Sequence, residues 1–294
     1  MACGTGKTLT ALWIQEAANY QRILYLVPSL YLVKQSLTEW INNSSQPFEW
    51  QCVCCDPTVN EGLSKDYFAE KKTDVCVPIT TQINDIKSFL SRDKKQVIFC
   101  TYHSLPLIEK VFKDDHIKGF DITFADESHR CVGHDKKIFG LIIEEGPIKT
   151  SKRIFMTATP ISLKDKDKDK AIENGIDFYS MDDEKYFGDE IYKITFRQAI
   201  NQRPPLLTNY QVYVTAIEND PIIKEKIIER KILSTDGSNE INAEELSTHI
   251  ALIKGIREFN LRKIITFHNR NKWAEEFAVD HLEIIKWLDN KYLP

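Results

Sequence analysis

Five short runs of β-branched and aromatic residues recur along the chain with helix-patterned segments between them: "ILYLV" from Ile23, "WQCVCC" from Trp50, "VIFC" from Val97, "ITFA" from Ile122 and "RIFM" from Arg153. Strands that alternate with helices build a parallel sheet, because a parallel neighbour is reached only by a crossover long enough to hold a helix. Several of the runs are apolar at nearly every position, as strands covered on both faces must be. The fold class that follows is α/β. With 294 residues and 42% hydrophobic side chains, the chain can bury one large core or two ordinary ones.

Two stretches read as punctuation. The run "KDKDKDK" at 164–170 alternates charge without an apolar anchor, so it reads as a solvated loop. The pair Pro204-Pro205 in "NQRPPLL" breaks any helix. After it the pattern restarts: "YQVYVTAI" reads as a strand, "EELSTHIALIKGIREF" as an amphipathic helix and "KIITFH" as a strand again. The expected organisation is a first domain over 1–202 and the beginning of a second over 203–294, which ends after one more helix-like stretch.

Composition narrows the classes. No apolar run approaches the roughly 20 residues that cross a bilayer, and the first residues lack the basic, apolar and small-residue segments of a leader, so the expected compartment is the cytoplasm with no membrane partner. The net charge is −4, from 39 Lys and Arg against 43 Asp and Glu, so no global basic field advertises a nucleic acid. A strand gripped inside a cleft needs only local positive groups, and net charge does not exclude it. The seven cysteines are odd in number and scattered, which fits reduced thiols. Cys52 and Cys55 form one C-x-x-C with no second pair, so "WQCVCC" reads as a strand ahead of a zinc site.

Chemistry concentrates in three places. Gly4-Thr5-Gly6-Lys7-Thr8 runs straight into the helical "TLTALWIQEAA". Such a loop uses glycines to turn backbone N–H groups towards phosphates, a lysine to neutralise them and a hydroxyl to hold Mg²⁺ at a helix N-terminus. The complete phosphate-loop pattern places a glycine at position 1, where Met1 stands. In "ITFADESHR" a buried strand ends in Asp126 and Glu127, at the edge of a parallel sheet where ligands bind. Phosphoryl transfer wants one acid on Mg²⁺ and a group that orients water, which assigns those roles to Asp126 and Glu127 respectively; an acidic pair in a surface turn is the competing reading. In "RIFMTATP", Thr157 and Thr159 flank Ala158 at a strand end, where two hydroxyls can relay the state of a nucleotide.

The order GTGKT, DESH, TAT resembles the superfamily 2 DExH/DEAD-box helicases and translocases. The ordered set "MACGTGKT", "YLVPSLYLVKQSL", "CCDPTV", "PITTQINDIKSFL", "CTYHSL", "DESHRCVG", "MTATP", "SMDDEKYFG", "AINQRPPLLTNYQVYV" and "KIITFHNRNKWAEEFA" is similar to the prokaryotic helicase group that includes the motors of type I and type ISP restriction enzymes, over nearly the whole chain. The resemblance implies a RecA-like phosphate-loop domain followed by the start of a second, an ATP- and Mg²⁺-dependent activity, and DNA, double- or single-stranded, ahead of RNA. It further implies nuclease or methyltransferase domains or subunits as partners. Gly4, Thr5, Gly6, Lys7 and Thr8 would bind ATP, with Thr8 and Asp126 on Mg²⁺ and Glu127 on the hydrolytic water. His129 and the Thr157, Ala158, Thr159 segment would couple hydrolysis to domain movement. Pro28, Ser29, Thr101, Tyr102 and His103 would face the nucleic acid, with helix capping as the local alternative for such Ser and Thr residues. His268 and Arg270 match the first motif of the second domain and join the same set.

The same resemblance leads us to expect an internal fragment or truncated product of a longer motor, because the family carries a strand and an adenine-recognition segment before the loop and an arginine finger further on. An arginine finger contributes about 10³ to 10⁵ in turnover, so weak hydrolysis is expected of this length of chain. Two other readings compete: a non-hydrolysing remnant that binds nucleotide or a partner, and a phosphate-loop kinase. The TAT hydroxyls, the DESH tetrad and the restarting α/β pattern argue against the kinase.

Overall fold

The computed structural model describes residues 1–54, 77–113, 116–132, 140–142, 147–162, 179–214 and 243–287. Among them, residues up to 209 form one compact unit and those from 210 a second. The charged run at 164–170 and Cys55 lie outside the described residues.

The first unit is a six-stranded parallel sheet in the order β3-β2-β4-β1-β5-β6, built from β1 (Arg22–Val27), β2 (Glu49–Val53), β3 (Ile79–Thr80), β4 (Gln96–Thr101), β5 (Phe120–Ala125) and β6 (Thr150–Phe155). The apolar runs become strands for the reason that made them legible: β4 is buried at every position and β1 from its second residue on. Alternate residues feed two cores. Ile23, Tyr25 and Val27 pack with Ala11 and Leu12 of α1 (Lys7–Ala17) and Val33, Leu37 and Trp40 of α2 (Leu30–Asn43). Leu24 and Leu26 pack with Ile86 and Phe89 of α3 (Ile83–Leu90) and Leu105 and Ile108 of α4 (Leu105–Val111).

Trp40 pins the two helices of the first layer together. Its ring meets Tyr25, Phe99 and Phe124 edge-on with centroids 5.3, 5.4 and 6.4 Å away, and its Nε1 donates to the carbonyl of Thr8 at 3.1 Å. Near the opposite end of β1, one oxygen of Asp121 accepts from the backbone N–H groups of Gln21 and Arg22 at 2.7 and 3.0 Å, which locks β1 to β5.

Register decides where chemistry can sit. Val27 pairs with Thr101, Leu26 with Ala125, and Ala125 with Phe155. The four strands therefore end together, and the residues that follow them, Pro28, Tyr102, Asp126 and Met156, leave the same carboxyl edge of the sheet.

The second unit is described through two helices, α6 (Ala243–Glu258) and α7 (Asn271–Trp287), numbered after α5 (Phe196–Asn201) of the first unit. The helical reading of "EELSTHIALIKGIREF" corresponds to α6. The strand readings of "YQVYVTAI" and "KIITFH" do not hold for the residues described: 210–214 and 263–268 are not strands. Val214 is 90% exposed and Phe267 92%. Alternation supplies a side-chain pattern, but a strand exists only through a neighbour's N–H and C=O groups, and neither segment has such a neighbour among the described residues.

Between the helices, His249 and His281 stack with their Nδ1 atoms 3.0 Å apart, beside Phe277. Two imidazoles in that relation share a hydrogen bond only when one of them carries the proton. Burial holds the His281 pKa below the ordinary histidine range, so near pH 6 the folded state binds fewer protons than the unfolded chain. The contribution is complete above the ordinary value of about 6.5 and is lost as pH falls from there towards the lowered one. Helical melting followed by circular dichroism should therefore drop between about pH 7.5 and pH 5.5, and His281→Phe should flatten that dependence.

Candidate functional site

The loop preceding α1 is shaped by two glycines. Gly4 and Gly6 have φ of 78° and 84°, a region that residues with a Cβ enter at a cost of about 1 to 2 kcal/mol. At Gly4 a Cβ would also come within 3.1 Å of Leu207 Cδ2. Gly6 is the N-cap, so no side chain covers the first N–H groups of α1, and no acidic residue sits in its first turn. The positive end of the helix is thereby presented to whatever lies in front of it. Thr5 closes the loop by donating its hydroxyl to the carbonyl of Ala2 at 2.7 Å. Lys7 is 8% exposed, and its Nζ lies 3.9 Å from Glu127 Oε1.

Asp126 continues β5 by donating its N–H to Leu26 at 2.9 Å. Its carboxylate is buried and held at both oxygens: Oδ1 accepts from the N–H of Glu127 at 2.9 Å and Oδ2 from the hydroxyl of Tyr25 at 3.2 Å. Burial raises its pKa above the ordinary aspartate value, opposed first by the Glu127 N–H. Burial, and then the charge of Asp126, push the Tyr25 phenol well above its own ordinary value, so it stays a donor. Glu127 stands at φ 49°, ψ 43°, the left-handed region, which for a side chain of this kind is stored strain.

That turn aims Glu127 at two partners. Besides Lys7, its Oε2 lies 3.3 Å from His129 Nδ1. The same nitrogen is 3.0 Å from Thr157 Oγ1 and 3.4 Å from Thr159 Oγ1, while Thr157 Oγ1 accepts the N–H of Thr159 at 3.1 Å across Ala158. Ser128 adds two bonds, N–H and hydroxyl, to the carbonyl of Met156 at 2.9 and 3.0 Å. Lys7, Asp126, Glu127, His129, Thr157 and Thr159, spread over more than 150 positions of sequence, thus form one connected cluster at the sheet's carboxyl edge.

The residues expected to face a nucleic acid divide. Pro28 and Ser29 are half-buried, and Ser29 caps α2 by accepting the N–H of Leu32 at 3.3 Å. His103 is exposed. Thr101 is buried, its hydroxyl 2.8 Å from that of Ser104. Tyr102 is 1% exposed and its hydroxyl donates to the carbonyl of Asp126 at 2.7 Å, so its side chain is an internal strut of the acidic turn. A tyrosine satisfied inside by one polar bond buries its ring as any core aromatic does. His268 and Arg270 belong to the second unit, where His268 packs on Phe277 at 4.9 Å and the Arg270 guanidinium lies 5.0 Å from the Trp273 ring centroid.

Sequence reasoning passed over Tyr25. The signal was there, since "ILYLV" places one polar-tipped ring in a strand otherwise aliphatic, and a buried phenol requires a partner.

Comparison with known proteins accords with this geometry. Residues 1–162 match the family described as type III restriction enzyme, res subunit. The "Probable helicase A859L" of African swine fever virus is 28% identical over 161 residues in the Pig/Kenya/KEN-50/1950 isolate and 29% over 161 in the Badajoz 1971 Vero-adapted strain. In both cases the match takes in 54% of this chain and 16% of the viral protein, so the chain spans about a sixth of the curated relatives it matches. Among solved structures, the "ATP-dependent Type ISP restriction-modification enzyme LlaBIII bound to DNA" superposes with a TM-score of 0.66 and 28% identity, covering 87% of this chain and 17% of that one. A nuclease-deletion mutant of the type ISP enzyme LlaGI, in complex with a DNA substrate mimic, gives a TM-score of 0.50 and 26% identity, covering 99% of this chain and 27% of the other. The α/β, RecA-like reading of the sheet and the likeness to superfamily 2 restriction motors both hold. Among the described residues no helix is long and apolar enough to cross a membrane. With a shared loop, a shared sheet and a match across more than half its length, the chain belongs to the type III restriction enzyme res-subunit family, a helicase-like family.

Proposed function

We propose that this chain is the ATP-hydrolysing module of a DNA helicase or translocase, and the observation that carries the reading is the single cluster of Lys7, Asp126, Glu127, His129 and Thr157. The residues present suit a Mg²⁺ nucleotide: two glycines hold a loop open in front of an uncapped helix, a buried amine faces it, and a buried carboxylate lies at the next strand end. The N–H groups of Gly4, Thr5 and Gly6 and the Lys7 ammonium take the phosphates, Lys7 exchanging a long ion pair with Glu127 for phosphate oxygens. Thr8 and Asp126 are the ligands that would hold the cation, which when bound neutralises phosphate charge. Glu127 orients the attacking water and accepts its proton. His129 reads the state of Glu127 and passes it to Thr157, Ala158 and Thr159.

Pro28, Ser29, Thr101 and His103 flank the DNA path at the same sheet edge; the 203–294 segment is read as the start of a second RecA-like domain, in which His268 and Arg270 are nucleic-acid contacts of their own. Duplex or single-stranded DNA as partner, and nuclease or methyltransferase portions alongside, are supported by the restriction enzymes LlaBIII and LlaGI. The test is ATP hydrolysis by the full chain with and without DNA. Stimulation of several-fold supports the motor, nucleotide binding without any turnover supports the non-hydrolysing remnant, and absence of nucleotide binding by the folded protein overturns both.

A further inference from the structure

We propose that Tyr25 is a positioning residue for the cation end of this site, its phenol fixing the Asp126 carboxylate from inside the sheet. The inference rests on the ATPase reading above and adds to it a residue outside the loop and the acidic turn. Tyr25 is fully buried in the middle of β1, between Leu24 and Leu26. Its hydroxyl donates to Asp126 Oδ2 at 3.2 Å, while the other carboxylate oxygen accepts the Glu127 N–H at 2.9 Å.

The ring cannot swing away. Trp40, Phe99 and Phe124 hold it at centroid distances of 5.3, 5.6 and 6.2 Å. A rigid donor on a carboxylate that must meet a cation fixes its place before anything binds, and preorganisation of that kind tightens binding without adding a contact to the ligand. A phenol serving only the core would be indifferent to Mg²⁺, which makes the two roles separable.

Tyr25→Phe keeps the packed ring and deletes the donor. The measurement is the affinity of the full chain for ATP, first in EDTA and then across a Mg²⁺ titration, alongside thermal unfolding without nucleotide. The expected result is an EDTA affinity within about twofold of wild type and a Mg²⁺ half-saturation point raised about tenfold, the cost of one hydrogen bond to a charged group. Phe99→Leu, which loosens the packing that holds the Tyr25 ring without touching the phenol or Asp126, should raise the same quantity about two- to threefold and serves if Tyr25→Phe does not fold. An unchanged Mg²⁺ half-saturation in a folded variant overturns the role of Tyr25 while leaving the ATPase reading intact. Failure of the wild type to bind ATP, or binding that Lys7→Ala leaves unaltered, overturns the ATPase reading and the role of Tyr25 with it.

Discussion

Lys7→Ala should weaken Mg-ATP binding to this chain by about a hundredfold or more, because it removes a charge-assisted contact to phosphate made by a buried amine. The amine is 8% exposed, so its interaction with a phosphate is screened far less than that of a surface lysine. The loss should not come from unfolding. The ion pair that Lys7 makes spans 3.9 Å to a glutamate 27% exposed, and pairs of that kind add little to stability. Calorimetric titration of wild type and variant, with melting curves beside them, decides the matter: equal ATP affinity in two equally folded proteins would remove the loop from the site. Lys7→Arg should rescue poorly, since a planar fork does not replace a compact ammonium beneath a tight loop.

Glu127→Gln should leave ATP binding within about threefold and reduce hydrolysis by about 10² to 10⁴, the usual worth of a general base. The amide keeps the size of the side chain but cannot accept the proton of the attacking water. A second substitution at the same position separates strain from chemistry. Glu127→Gly should be as inactive, yet more stable by about 1 kcal/mol, because glycine occupies φ 49° without a Cβ clash. Stability gained with activity lost is what a conformation retained for function predicts. A glycine variant that unfolds earlier in denaturant than wild type would show instead that the turn is relaxed and that its side-chain bonds to Lys7 and His129 outweigh its backbone cost.

Five of the six strands and their carboxyl-edge loops were legible because runs such as Ile23 to Val27 and Val97 to Cys100 are buried on both faces and carry no charged residue, whereas β3, two residues long, is too short to show a pattern. The acidic turn was legible too, since Asp126 and Glu127 directly follow such a strand. What failed depended on partners distant in sequence. Tyr210 to Val214 and Lys263 to His268 alternate as strands do, but alternation cannot supply the neighbour that a ladder needs. The inward course of Tyr102 was not legible either, because a strand end sends consecutive side chains, Tyr102 and His103, to opposite sides, one into the core and one to water. The His249 and His281 pair is formed by two helices, and nothing in either helix alone points to the other.

Register across the parallel sheet also governs how the protein must be made. Ile23 has no sheet neighbour until Val97 exists, and its other neighbour is Ile122. At about 5 to 20 residues per second, a ribosome needs roughly 5 to 20 s to travel from β1 to β5. Until β4 emerges β1 has neither of these edges paired, and until β5 emerges one of them stays bare; the contacts that would fold it are non-local, the slowest kind to form. Phosphate loop and acidic turn can therefore meet only after β5 has emerged, and the site is among the last features of the first unit to assemble.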